Sequence, residues 1–138
     1  MGSRRRAREL ALQALFYFDF EKGETEEMLS LFCENFSDMM DEEAKPFFLT
    51  LVQGVKERQS EIDLLLSTCS RNWRVARMPF VDRNIMRAAA FELLECPDIP
   101  ASVTINEAVE IGKRFGTRES APFINGVLDR VRLHQESQ

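Results

Sequence analysis

Apolar positions recur three and four residues apart through almost the whole chain, and the elements they predict are helices. Leu10, Ala14 and Phe18 fall four residues apart with Ala11 and Leu15 beside them, an amphipathic helix opening behind Ser3 as N-cap and breaking at Lys22-Gly23. A shorter second helix runs from about Thr25 to Phe36, with Glu26 and Glu27 in the first turn, where the helix dipole favours acids. Residues 37 to 46 read as a polar connection, and Pro46 fits only a first turn, so a third helix starts near Glu42 to Lys45 and carries Phe47, Phe48, Leu51, Val52 and Val55. The charged run Lys56 to Arg58 puts a break near residues 57 to 60, before a fourth helix with Ile62, Leu65, Leu66 and Cys69.

The second half is better punctuated. Pro79 keeps Met78 extended and precedes a fifth helix from about Phe80 to Leu94, with Ile85, Ala89 and Leu93 on one face. After the proline-bearing loop CPDIPAS, the stretch TINE matches the capping-box pattern, in which Thr104 and Glu107 satisfy each other's backbone amides at the start of a sixth helix. Gly116 stops that helix after Phe115. Ser120 and Pro122 open a seventh, on which Phe123, Val127 and Val131 align. No strand-like alternation, repeat or low-complexity tract interrupts this pattern. The fold class is all-α, about seven helices packed as one domain over residues 1 to 138.

Charge adds what periodicity does not show. The chain carries a formal net charge of -5, but residues 1 to 8 hold four arginines and no acid, residues 9 to 70 sum to -10, and residues 71 to 138 to +1. An acidic body with a basic tip repels polyanions broadly and attracts them at one place. With a helical turn of about 100° per residue, Arg6, Gln13 and Tyr17 share one stripe, while Phe16 lies beside Arg5 outside the main apolar arc. Guanidinium groups for phosphate, an amide for base edges and aromatic rings for stacking are the groups that single-stranded RNA recognition uses. The residue types alone leave three readings open: RNA binding, an acidic protein partner, and a solvated end. For Phe16 and Tyr17, packing against another helix is the plain alternative.

Other residue types narrow the function classes. Cys33, Cys69 and Cys96 are far apart in sequence and form neither a metal motif nor a disulfide framework, as expected of thiols in a reducing, cytoplasmic setting. The arginine-led start lacks a signal-peptide cleavage site, and no segment reaches the roughly 20 apolar residues of a membrane span. The single histidine, His134, stands at the polar end of the last helix with no nucleophile to serve, and no phosphate loop or dinucleotide glycine pattern is present. Asn106, Glu107 and Asn125 are polar among apolar neighbours, and their reading is structural. Glu107 completes a cap, Asn125 flanks the buried arc of the last helix, and Gly126 lets a neighbouring helix approach. Asp82, with Arg83 and Arg87, falls on an exposed charged side of the fifth helix.

The segments RRRARELALQALF, VDRNIMRAAAFEL, PASVTINEAVEIGKRFG and FINGVLDRV, in that order and spacing, resemble the NusB family of transcription antitermination factors. The resemblance covers nearly the whole chain and is weakest over residues 21 to 70. It implies two three-helix-bundle-like halves, about 1 to 58 and 59 to 138, with no catalytic activity, cofactor or metal. It also implies binding to the boxA element of ribosomal RNA leader transcripts together with the NusE ribosomal protein. The complex would join elongating RNA polymerase and suppress termination, including the Rho-dependent kind. By the resemblance Arg4, Arg5, Arg6 and Arg8 contact RNA, followed by Gln13 and Phe16. Phe16 stands where the family usually has tyrosine, with Tyr17 displaced by one residue.

The resemblance also brings Glu119 to the RNA edge and makes Asp82 a contact for the protein partner. Some ribosomal RNA methyltransferases carry a NusB-like domain ahead of a catalytic one; here the motifs end with the NusB-like part, which leaves no methyl-donor site expected. The competing expectation from another class is a helical adaptor, or a homodimer whose arginine end engages acidic protein groups. If two to four phosphates are neutralised, log affinity should fall with log salt at a slope of about -1.4 to -2.8.

Overall fold

The computed structural model describes residues 2–21, 23–36, 38, 41–71 and 73–137. Seven α-helices account for most of these residues: α1 Ser3–Phe20, α2 Thr25–Asn35, α3 Ala44–Glu57, α4 Gln59–Cys69, α5 Phe80–Glu95, α6 Ala101–Phe115 and α7 Ser120–Glu136. A short 3-10 turn, Val75–Arg77, leads from α4 to α5. Lys22, half of the expected break after α1, lies outside the described residues.

The fifth helix is the axis of the fold. Its residues 84 to 92 are buried without interruption, because α1, α3, α4, α6 and α7 all pack against it. The consecutive small residues Ala88, Ala89 and Ala90, spread around the helix, keep it slim enough for so many neighbours. Gly54 of α3 serves the same end, since a Cβ there would stand 2.3 Å from the Phe91 ring. Buried apolar side chains from all seven helices join one cluster, whose fully enclosed members include Leu10, Phe48, Ile62, Met86, Ile124 and Leu128.

Helix starts differ from the sequence expectation in two places. Ser3 is the first helical residue of α1 rather than its cap; Gly2 takes that position, and the Ser3 hydroxyl donates to Glu43 at 3.2 Å. The sixth helix begins at Ala101, directly behind Pro100, three residues before Thr104. Thr104 and Glu107 are therefore interior helical residues whose side chains reach α5 and α1, and they form no capping box. The proline, whose fixed φ suits a helix entry, outweighed the local Thr-x-x-Glu pattern. The break between α3 and α4 falls at Arg58, which pairs with Glu61 and with Glu95 of α5.

The polar residues read as structural are also redistributed. Asn106 and Asn125 are exposed, and neither makes a side-chain hydrogen bond among the described residues. A Cβ on Gly126 would meet only the Arg130 guanidinium of its own helix, at 3.9 Å, so no helix approaches there. The close approaches are at Gly54, at Gly112, where Ile124 lies 2.8 Å from a Cβ position, and at Gly116, where Ser120 Oγ lies 2.3 Å from one.

Candidate nucleic-acid interface

Four arginines leave the first two turns of α1, and the fold sends them to different partners. Arg8 is buried. Its Nε and Nη2 each donate to one oxygen of Glu92 on α5, both at 2.8 Å, and Thr104 on α6 adds a hydroxyl bond to Glu92 Oε1 at 3.0 Å. With side-chain exposures of 7% and 2%, the pair is a structural tie between α1 and α5. The expected phosphate contact of Arg8 is thereby corrected: an ionised Glu92 in the core requires a cation, and Arg8 supplies it.

Arg5 is half-exposed and bonded side-on to Glu107 of α6, at 2.9 and 2.7 Å. That contact holds the Glu107 carboxyl below its ordinary range, mainly through the Arg5 hydrogen bonds. Arg4 is exposed, its Nη2 3.8 Å from Asp98, and its guanidinium lies over the Phe47 ring as that of Arg8 does. The Arg6 side chain is exposed, and its guanidinium has no ion-pair or hydrogen-bonding partner among the described residues. The basic tip therefore presents Arg6 freely, Arg4 weakly screened and Arg5 by one edge.

Below Arg6 on the same stripe are half-buried Gln13 and exposed Tyr17. With Phe16 they line a groove of about 430 Å³ together with Leu31 and Phe32 of α2, Phe36, Val81 of α5 and Phe115 of α6. Phe16 also belongs to an exposed aromatic cluster, 5.2 Å from Phe20 and 6.0 Å from Phe80 between ring centres. Phe20 and Phe80 are 4.6 Å apart, and Arg83 lies 4.3 Å over Phe80. The structure thus brings Arg6, Gln13, Phe16 and Tyr17 to one side of α1.

Glu119 and Asp82 are placed elsewhere. Exposed Glu119 precedes α7 and lines a separate cleft of about 270 Å³ with Trp73, Pro79, Asp82, Thr117 and Phe123, none of which lines the groove beside the arginine stripe. Asp82 is buried at 4% exposure, which corrects the exposed position expected of it. Its Oδ1 accepts the Ser120 hydroxyl at 2.6 Å, joining the first turns of α5 and α7. Burial pushes its carboxyl above the ordinary range, only partly offset by Ser120. The expectation failed because the periodicity of α5 marks its most apolar face, whereas neighbours cover this helix nearly all round.

Sequence reasoning missed two further features. Asp19, at the end of α1, accepts from Arg83 at 3.1 Å, Asn84 at 2.6 Å and Arg87 at 3.1 Å, and Arg87 also pairs with Asp63 of α4. Glu92 was the available signal for the other: an acid inside the run AAAFELL of a buried helix requires a partner cation. Among the described residues no group of His, Cys, Asp or Glu is placed to hold a metal ion, and no helix is long and apolar enough to cross a membrane.

An all-helical scaffold with a partly self-neutralised arginine tip, an amide and aromatic stripe and an adjoining apolar groove has the features of a binding protein. The NusB family profile matches residues 5–132, and the chain belongs to the NusB family. It is similar to the transcription antitermination protein NusB of Desulforapulum autotrophicum, with 64% identity over 133 residues covering 96% of this chain and 93% of that one. The structure of NusB from T. maritima superposes with a TM-score of 0.85 at 41% identity, over 94% of this chain and 90% of that one. A structure of the antitermination factors NusB and NusE in complex with dsRNA shares the fold, with a TM-score of 0.86 at 22% identity over 97% and 98% of the two chains. The family is non-enzymatic.

Proposed function

We propose that this chain is an RNA-binding transcription antitermination factor that assembles on boxA-type RNA with the NusE ribosomal protein, in the cytoplasm, as part of an RNA polymerase complex that resists Rho-dependent termination. The observation that carries the reading is the α1 stripe, where the exposed Arg6 guanidinium stands without an ion-pair or hydrogen-bond partner among the described residues, above Gln13 and Tyr17. Arg4 and the open edge of Arg5 flank it and supply further phosphate contacts. Gln13 reads a base edge, and Tyr17 and Phe16 offer faces for stacking. Phe20, Phe80 and Phe115, each more than a third exposed, continue this surface with apolar area suited to the protein partner. Glu119, exposed in its own cleft before α7, offers a second edge to the RNA, and Asp82 serves the protein-partner contact from beneath by fixing the first turn of α7.

The test is binding of the whole protein to a boxA-type RNA and a scrambled control, with and without NusE. Selective binding that NusE strengthens, and that Arg6→Ala weakens about fivefold without changing the unfolding temperature, supports the reading. With Arg8 withdrawn into the core, two or three phosphates remain to be neutralised, so the log-log salt slope should be about -1.4 to -2.1. Equal binding to both RNAs, indifferent to Arg6→Ala, would instead favour an adaptor, and self-association competing with RNA would favour a homodimer over the same end.

A further inference from the structure

Arg5 is held along one edge only. Its Nε and Nη2 donate to Glu107 Oε1 and Oε2, a side-on pairing that leaves both N–H groups of Nη1 and one of Nη2 without an acceptor among the described residues. The carboxylate that holds it also lies within ion-pair distance of a buried cation. Glu107 Oε1 lies 3.8 Å from Arg8 Nη1, and Arg8 is locked by both oxygens of buried Glu92. A planar guanidinium anchored along one side presents its other edge as two parallel donors of fixed direction, which a freely rotating arginine does not.

That residue opens on a concave surface. Arg5 lines a cleft of about 260 Å³ between α1 and α6, together with Glu9, Glu110, Ile111, Lys113 and Arg114. Lys113 pairs with Glu110 at 3.2 Å and Arg114 with Glu9 at 2.8 Å, yet both cations keep most of their side-chain surface exposed. The two acids are thus occupied, while two exposed cationic side chains line the cleft beside Arg5.

We propose that Glu107 is a positioning residue for RNA recognition: it sets Arg5 as a rigid two-donor fork at the α1/α6 cleft, which takes a pair of acceptors on the RNA. The shared chemistry is two acceptor atoms side by side, found on the non-bridging oxygens of one phosphate and on the O6/N7 edge of guanine. The inference rests on the RNA-binding reading above. Its sign is distinctive, because Glu107 is an acid near a polyanion: through charge alone its removal would tighten binding, whereas through Arg5 its removal weakens it.

The experiment measures affinity of the full chain with NusE for a boxA-type RNA, in Glu107→Gln, Arg5→Ala and the double variant, with Arg6→Ala as control for the function itself. Expected are a loss of about three- to tenfold in Glu107→Gln, about tenfold in Arg5→Ala, and no further loss when Glu107→Gln is added to Arg5→Ala. Tighter binding in Glu107→Gln, or an equal loss in both backgrounds, overturns the proposal. Arg5→Lys keeps the charge without the fork and leaves Glu107 an ammonium partner, so it serves if Glu107→Gln does not fold; it should bind as weakly as Arg5→Ala, and wild-type affinity in it overturns the fork. RNA carrying 7-deazaguanine separates the acceptors. A loss matching Arg5→Ala assigns the guanine edge, whereas unchanged affinity, with a salt slope shallower by about 0.7 in Arg5→Ala, assigns phosphate. Absence of selective binding by the wild-type protein overturns the function and the fork together; selective binding that Arg6→Ala weakens and Arg5→Ala leaves intact overturns the fork alone.

Discussion

Arg8 and Glu92 meet in the core through two N–H···O bonds of 2.8 Å, one arginine of the basic tip turned inward to neutralise an acid on the buried face of α5. A single RRRAR segment thereby serves two purposes. Replacing Arg8 with alanine strands a buried carboxylate and is expected to lower stability by about 3–5 kcal/mol. Denaturant unfolding measures this. The double change Arg8→Met with Glu92→Leu should restore most of the loss, because two apolar side chains of similar volume leave no charge unpaired.

The pair also marks how far the sequence could be read. Helix number, the break near Arg58 and the exposed stripe of Arg6, Gln13 and Tyr17 were legible, because each rests on local spacing and on proline, glycine or charge in the chain itself. The partition of the arginines was not. Whether Arg5 or Arg8 faces solvent depends on Glu107 and Glu92, which lie 102 and 84 residues away. Asp82 was misplaced for the same kind of reason. A helix surrounded by neighbours has no solvent side along most of its length, and its own periodicity does not reveal how many neighbours it has.

Glycines divide in a similar way. A methyl group on Gly54 would stand 2.3 Å from two atoms of the Phe91 ring, which is itself buried. Gly54→Ala should therefore cost about 1–3 kcal/mol from overpacking, despite a better helix propensity. Gly126 has no such neighbour, and Gly126→Ala should gain close to the 0.8–1 kcal/mol that alanine holds over glycine in a helix, about. Thermal unfolding of the two variants should move in opposite directions, and a loss in Gly126→Ala would show a close contact at that position.

Asp19 concentrates bonds from α5 on the end of α1. Burial raises its carboxyl pKa, but Asn84, Arg83 and Arg87 outweigh burial and hold it below the ordinary value. A folded-state pKa below the unfolded one means that this stabilisation is complete above the unfolded value, about 3.9, and is lost as pH falls through the folded value. Asp19→Asn should destabilise the protein by about 1–3 kcal/mol at pH 7. The gap from wild type, followed by unfolding from pH 7 downward, should close only in strong acid.

Asp82 has the opposite sign. Burial lifts its folded pKa above the unfolded value, with one bond from Ser120 working against the shift. The folded chain then holds the proton more tightly than the unfolded chain does. Ionised Asp82 costs stability above its folded pKa, and this cost disappears as pH falls below the ordinary carboxylate value. Asp82→Asn keeps an oxygen for the Ser120 hydroxyl and removes the buried charge. It should match or exceed wild-type stability at pH 7, and the difference should vanish on acidification, the reverse of the trend at Asp19. A large loss at neutral pH would mean that the negative charge itself, placed in the first turn of α5, outweighs its burial through the amides of that helix end.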